Sequence, residues 1–414
     1  MNFITLLLIT FLIGTLNPIQ AENWSNWLGP NYNGSVEGIH INLPTEGNEF
    51  KVKWKIPIGS GWSSPVMDKN FIYFHDRVGE DEIVHCLNIK TGDEIWQNSY
   101  FSGYRDDFGM GSGPRSTPAF KNGIIVTHGP QGLLHGLDLK TGKQKWVRDL
   151  KKEFESPKGF FGRCASPLII GDRVILDVGG EKVGLVAFSL IQGRTQWFSK
   201  PYGNDYSSPV PFFSEDRNFC LSFMRKGFLA VDLKTGNEEY FAQFRSPIDA
   251  SVNAATPLVI QNQVLLSSCY GVGAGLWQYQ ENNGKNEFPF KEVWRKNEVI
   301  DCHYSTPVSF GDYIYGFHGR QERKPILRCI RLGDGEIMWA APSMGAGNLI
   351  RVSGKLIVLL ETGELVILKA LPESCEIVYR QQILGAGTRA HFSFANGLLV
   401  ARDKRRLICL QICK

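Results

Sequence analysis

Eight versions of one short pattern run through this chain, and they constrain its architecture more tightly than any single residue does. Three read Lys-Thr-Gly, at Lys90-Thr91-Gly92, Lys140-Thr141-Gly142 and Lys234-Thr235-Gly236. Each is followed, four residues after its Gly, by an aromatic: Trp96, Trp146 and Tyr240. Degenerate versions end at Trp197, after Gly193, and at Trp339, after Gly335. With Trp54, Trp294 and Tyr379 the eight aromatic anchors recur 40–54 residues apart. A period of that size marks a repeat fold, in which one unit cannot bury its apolar face alone.

The stretch from Ser116 to Trp146 shows how a unit is built. Ser116-Thr117-Pro118-Ala119-Phe120 leads to a turn pair, Asn122-Gly123, and then to the β-branched run Ile124-Ile125-Val126-Thr127. Gly129-Pro130 and Gly132 punctuate the next stretch, Leu133 to Leu139 follows, Lys140-Thr141-Gly142 turns, and a last strand reaches Trp146. Short strands with turn signals at this spacing predict an antiparallel meander of four strands. A Gly after Thr suits the left-handed position of a hairpin with a bulge. The strand-opening signal recurs as Ser64-Pro65, Thr117-Pro118, Ser166-Pro167, Ser208-Pro209, Thr256-Pro257 and Thr306-Pro307; two units around Leu349-Ile350 and His391-Phe392 lack the Pro. Eight such sheets set radially predict an all-β fold, an eight-bladed β-propeller of four-stranded antiparallel blades.

The ends support closure of the ring. The last unit finishes on a third strand, Leu407-Ile408-Cys409-Leu410, and the fourth can come from Phe50 to Ile56, which carries the anchor Trp54. The N-terminal strand would then remove two exposed edges. We divide the chain into an export signal at 1–21, an N-terminal extension at 22–49 and one propeller at 50–414. The signal rests on the apolar run Phe3 to Leu16, the break at Asn17-Pro18 and the small residue Ala21. That run is too short to span a bilayer. A periplasmic or secreted protein without a membrane span is expected. The net charge of +4 is too mild to argue for nucleic acid. Nine cysteines with no Cys-x-x-Cys are expected to be mostly buried thiols, with one or two bridges at most.

The Asp/Asn-x-Lys-Thr-Gly-x-x-x-Trp pattern resembles the pyrroloquinoline-quinone (PQQ)-type propeller repeat. That repeat occurs in quinoprotein dehydrogenases and in the outer-membrane-protein assembly scaffold of Gram-negative bacteria. The opening Asn23-Trp24-Ser25-Asn26-Trp27-Leu28-Gly29-Pro30-Asn31 resembles that of exported propeller proteins of planctomycete-like bacteria. The dehydrogenase resemblance would imply a quinone on the central axis with a calcium ion, a catalytic Asp and a disulfide of adjacent cysteines. This chain has no Cys-Cys pair, and no cluster of oxygen ligands suited to calcium stands out.

Other chemical readings are weaker. Lys-Thr-Gly also belongs to serine β-lactamases, but here it recurs at one repeat position without Ser-x-x-Lys, so it reads as a turn. Gly109-Met110-Gly111-Ser112-Gly113 lacks the Gly-Lys-Ser/Thr ending of a phosphate cradle and reads as a loop. His75, His128 and Asp177 end second strands in successive blades, and equivalent points there are on the order of 10 Å apart, too far to share a metal. Asp106-Asp107 lies in a long loop with no base or nucleophile placed beside it.

First strands begin and second strands end on one face. The positions before each strand-opening Pro place Trp62, Arg115, Arg163, Tyr206, Asn253, His303, Tyr304 and Arg389 around the mouth of the central channel. Basic loops join them there: Arg225-Lys226, Arg320 with Arg323-Lys324, and Arg402 with Lys404-Arg405-Arg406. Two long loops, 98–113 and 147–162, sit on the same rim. Aromatic and Arg side chains around a concavity suit a partner peptide or an anionic or sugar-like ligand. The expectation is a monomeric, non-catalytic scaffold that binds a protein partner or such a ligand, without a cofactor. The alternatives are a PQQ-dependent oxidoreductase with calcium and, third, a polysaccharide-binding accessory protein.

Overall fold

The computed structural model describes residues 23–281, 288–342 and 344–413. The expected export signal lies outside them. Eight separate sheets form the ring, each a meander whose first strand lies nearest the axis. Blade 1 opens with Val66–Met67, and its outermost strand is Glu94–Phe101. Blade 2 runs through Ala119–Lys121, Ile124–His128, Leu133–Asp138 and Gln144–Asp149. Blades 3 to 8 follow in chain order, beginning at Leu168, Val210, Leu258, Val308, Gly347 and Ser393. Second strands are buried on both faces because neighbouring blades cover them: all of Ile124–His128 is buried. On the outer strand Gln144–Asp149 only Trp146 is buried.

The recurring motif is explained by three contacts. In blade 2 the Asp138 carboxylate accepts from the backbone N–H of Lys140 and Thr141 and from the Thr141 hydroxyl. Gly142 N–H closes the turn on Asp138 O at 2.8 Å, with φ +68° at the Gly. Asp232, Thr235 and Gly236 repeat this in blade 4. A bulge then brings the aromatic into register, as between Gln144 and Trp146. The anchor does not serve its own turn. It crosses to the next blade, where Trp54, Trp146 and Trp294 each donate Nε1 at 2.9 Å to Ile89 O, Leu190 O and Leu332 O. Trp96 and Trp339 do the same to Leu139 O and Leu371 O.

The Ser/Thr-Pro signal makes a second set of inter-blade bonds near the axis. Backbone N–H groups donate to the equivalent hydroxyl of the next blade: Ser64 to Thr117, Thr117 to Ser166, Ser166 to Ser208, and Thr256 to Thr306, at 2.9–3.3 Å. Side-chain oxygens thus satisfy backbone donors that the ladder leaves over where a first strand begins.

Closure is as expected. Lys51–Pro57 pairs antiparallel with Arg406–Gln411, with Trp54 opposite Cys409. All nine cysteines are free thiols, and seven are buried. The N-terminal extension holds a feature that the repeats do not announce. Trp24 bridges Met67 of blade 1, Ser25 O accepts from Phe120 N–H of blade 2, and the Tyr32 hydroxyl donates to Ile169 O of blade 3. Ser35–Val36 then adds a parallel strand to the inner edge of blade 7, opposite Arg351 and Val352. This segment fills the lower part of the central channel, on the side of the Lys-Thr-Gly turns. It continues through Ile39 and Ile41 to Phe50, all buried against blades 7 and 8.

Candidate functional site

The upper mouth of the channel is organised around Trp62. Two guanidinium groups stand over its indole, Arg115 at 4.9 Å and Arg389 at 5.0 Å from the ring centre. The connection from blade 7 to blade 8 supplies Arg389, and that from blade 1 to blade 2 supplies Arg115. Arg389 Nε also pairs with Glu361 at 2.9 Å, and the Tyr304 hydroxyl donates to the same carboxylate at 2.8 Å. Burial, then the Glu361 charge, push the Tyr304 hydroxyl well above its usual pKa, so it stays a donor. Four of the expected residues therefore meet in one network: Trp62, Arg115, Tyr304 and Arg389.

Two loops roof this network. Residues 102–118 join blades 1 and 2, and the backbone of their tip is held by Asp106. Its Oδ2 accepts from Phe108 and Met110 N–H, and its Oδ1 pairs with Arg115 at 3.2 Å. Arg115 donates further to Gly111 O and Phe161 O. Met110 Sδ reaches Arg389 at 3.6 Å, so the loop crosses from blade 1 to blade 8. The second loop contains a short helix, Leu150–Phe154, capped by Asp149. Beyond it Phe160 and Phe161 receive Phe108 edge-on, with centroids 5.9 and 5.4 Å away. Tyr206 accepts the N–H groups of Phe160 and Phe161 on its hydroxyl. Phe108 is 54% exposed and Phe160 37%. The outermost feature of this face is thus an aromatic cluster on a tied-down loop pair. Sequence reasoning placed the loops but missed these side chains, whose one signal is Phe next to Gly, in Phe108-Gly109 and Gly159-Phe160-Phe161-Gly162.

Other expected mouth residues are turned inward. Arg163 is buried, with its guanidinium on Ser156 Oγ, Ser156 O, Pro130 O and Gln131 O. Asn253 is buried too, donating to Met224 O and accepting from Ser268. Both brace the backbone between blades and do not face the channel mouth. His303 lies beside Tyr270, whose hydroxyl stands 2.9 Å from its Nε2, and burial lowers its pKa to about 4. The basic rim also needs correction. Arg402 is fully buried and donates to His75 O and Gly59 O, while Arg225 is bonded to Asp205 and to the carbonyls of Ser251 and Asp249. Charge alone suggested solvent, but guanidinium groups here tie loops together.

His75 forms a buried pair with Glu82 at 3.3 Å, and Tyr100 donates to Glu82 at 2.8 Å. Burial raises the Glu82 carboxyl, but bonds from His75, Ser102 and Tyr100 outweigh it and hold the pKa below the usual value. His128 bonds to Ala165 O, and Asp177 accepts from Asp205 N–H. Among the described residues no three His, Cys, Asp or Glu side chains converge to hold a metal ion.

The channel axis decides how a quinone would fit. Trp27 bridges first strands across it, donating Nε1 to Thr256 Oγ1 of blade 5, one of the hydroxyl-bonded strand-opening residues. Its ring meets His391 edge-on at 5.3 Å. Above stands the Trp62–Arg115–Arg389 stack. The axis is thus taken by the chain's own side chains: Trp27 is bonded to Thr256, and the carboxylates beside the stack, Glu361 and Asp106, are already paired with Arg389 and Arg115. This set does not fit a planar quinone seated beside a calcium ion, which needs several oxygen ligands.

These features define a propeller of PQQ-like repeats with an occupied channel and an aromatic upper face. The sequence profile of the family described as outer membrane protein assembly factor BamB matches residues 80–341. The chain belongs to that family. A curated relative, outer membrane protein assembly factor BamB of Yersinia pestis, is 21% identical over 288 residues, covering 67% of this chain and 68% of that protein. The crystal structure of BamB from Moraxella catarrhalis superposes with a TM-score of 0.63 at 16% identity, covering 88% of this chain and 98% of that one. Quinohemoprotein alcohol dehydrogenase from Comamonas testosteroni superposes with a TM-score of 0.64 at 12% identity, covering 96% and 82%. At these identities both superpositions speak for the fold alone. Among the described residues no helix is long and apolar enough to cross a membrane.

Proposed function

We propose that this chain is an exported, periplasmic scaffold that binds a protein partner in outer-membrane protein assembly and performs no chemistry itself. The observation that carries this reading is the exposed Phe108–Phe160 cluster, held on loops that Asp106, Arg115 and Tyr206 tie to a rigid ring. Apolar aromatic surface fixed in place at low entropic cost is what anchors a protein interface. The arginines below it are already engaged with Trp62, Glu361 and Phe161, which favours a protein partner over a small anion. Family membership points the same way. The test is calorimetric binding of the purified chain to periplasmic domains of the assembly machinery from its own organism. Phe108→Ala with Phe160→Ala should weaken binding by about tenfold or more, on the scale of a lost hot spot. The melting temperature should stay unchanged.

The quinone reading is tested by titrating the same protein with PQQ and Ca²⁺. A ligand that binds the native state tightly raises the melting temperature. Saturable binding with that rise would replace the scaffold reading with an oxidoreductase.

A further inference from the structure

Among the described residues the outermost strand of every blade has one edge without a strand partner, and seven of the eight edges carry a device against pairing. Lys51–Pro57 has three Lys and a Pro; Gln144–Asp149 has Lys145 and Arg148; Phe290–Lys296 has Lys291 and Lys296. Glu238–Gln243 begins with two Glu, and Ile377–Gln382 holds Arg380. Thr195–Phe198 and Ile337–Ala340 are only four residues long. Lysines, prolines and short length are how edge strands avoid adding a neighbour.

On this edge blade 1 carries a single charge, Glu94 at its first position, and that carboxylate is paired with His85 of the neighbouring strand. Its outer strand Glu94–Phe101 is eight residues long and reads Ile-Trp-Gln-Asn-Ser-Tyr-Phe after Glu94, with no charge and no Pro. Among the described residues no strand lies beyond it. Ile95 is 50% exposed and Phe101 65%. Trp96 and Asn98 donate from their side chains to Leu139 O and Gly142 O of blade 2, so the strand is held in place.

The direction of its backbone groups follows from the ladder. Ser102 N–H donates inward to Glu80 O at 2.9 Å, and Phe101 stands opposite Asp81. Bonded and non-bonded pairs alternate along an antiparallel ladder. Tyr100, Asn98 and Trp96 therefore bond inward. Gln97, Ser99 and Phe101 turn their N–H and C=O groups outward, toward the free edge.

We propose that this edge pairs antiparallel with the same edge of a second copy of the chain, joining two propellers about a two-fold axis beside Asn98. The sequence is self-complementary about that residue. Ile95 falls opposite Phe101 of the copy at both ends, an aliphatic–aromatic pair, and Gln97 falls opposite Ser99, a hydrogen-bonding pair. No like charges meet, as they would on the Lys-bearing edges. A one-residue slip would set outward groups against inward-bonded residues, so the ladder itself selects the register. The same patch serves both subunits, as a closed two-fold dimer requires.

Analytical ultracentrifugation of the mature chain over a wide concentration range tests this, alongside Ser99→Pro and Gln97→Lys. Ser99→Pro removes one outward N–H and no inward bond, which an edge strand tolerates. Gln97→Lys changes only an exposed side chain and supplies the Lys that other edges carry. The expected result is a reversible dimer that each variant weakens by about tenfold or more, about 1.4 kcal/mol, with an unchanged melting temperature. A chain that stays monomeric at every concentration, or a dimer that both variants leave intact, overturns the proposal.

Discussion

The indole of Trp54 covers Gly92 and donates its Nε1 proton to Ile89 O at 2.9 Å, so the strand that completes blade 8 is also fastened to blade 1. A Cβ on Gly92 would lie 2.8 Å from Trp54 Cδ2, and the glycine has φ +79°. Gly92→Ala therefore meets both a left-handed penalty and an overpacked ring. The expected loss is about 2–4 kcal/mol. Gly123→Ala is the control: φ is +77°, but nothing lies within 4 Å of its Cβ, so only the backbone penalty of about 1–2 kcal/mol remains. Urea unfolding of the two variants measures the difference, and equal losses would mean that the indole does not matter.

The channel segment should contribute to stability like a core element. Trp24 is 1% exposed, bridges Met67 and packs on Gly29. Trp24→Ala is expected to cost about 3–5 kcal/mol, the range for emptying a buried Trp site. A chemical denaturation midpoint close to that of the parent would show that the segment is dispensable.

Two fully buried histidines set a direction for acid sensitivity. Burial lowers the pKa of His128 and His391 from 6.5 to about 4, against the opposing pull of backbone hydrogen bonds. The unfolded chain takes up these protons near 6.5, and the folded chain refuses them until about 4. Stability is thus complete above the unfolded value and falls as pH drops through this window. The cost approaches about 3 kcal/mol per residue, at about 1.4 kcal/mol per pH unit. His391→Gln should flatten part of that slope. Asp205 has the opposite sign: burial raises it to about 7, so it favours the fold at low pH and loses that contribution as pH rises from 3.8 toward 7. Asp205→Asn should remove this second, opposing slope. Stability curves at stepped pH read both.

Arg115 is predicted to control the lid and not the ring. It stacks on Trp62 and Phe161 and bonds Asp106, Gly111 O and Phe161 O. Lys keeps the charge but loses the planar fork that serves these partners together. Arg115→Lys should speed proteolytic cleavage around Phe108–Gly111 while the global melting temperature stays the same. Cleavage at the parent rate would show that Asp106 alone holds the loop.

How much of this was legible depended on repetition. The Asp-x-Lys-Thr-Gly turn, the crossing indole and the Ser/Thr-Pro hydroxyl recur because each blade must solve the same packing problem, so their spacing revealed the ring and its closing strand. The channel segment occurs once and solves a problem of the whole ring, filling its axis, so no periodicity marks it. Counting along the repeat placed Trp62, Arg115, Tyr304 and Arg389 at the mouth. It failed for Arg163 and Asn253 because neighbouring backbone turns their side chains inward, and position in a repeat does not report that. Arg402 misled for a different reason: a guanidinium with two carbonyl partners can be buried, and composition counts it as surface.

The pairing of Trp54 with Cys409 and of Ser35 with Arg351 also bears on the order of folding. These contacts join residues more than 300 positions apart, and contacts so distant in sequence form slowly. The first described strands must wait, unpaired, until the seventh and eighth blades exist. Closing the ring is then the late step of maturation. During that wait a chain crossing into an outer compartment would expose two uncapped edges to whatever binds extended polypeptide there.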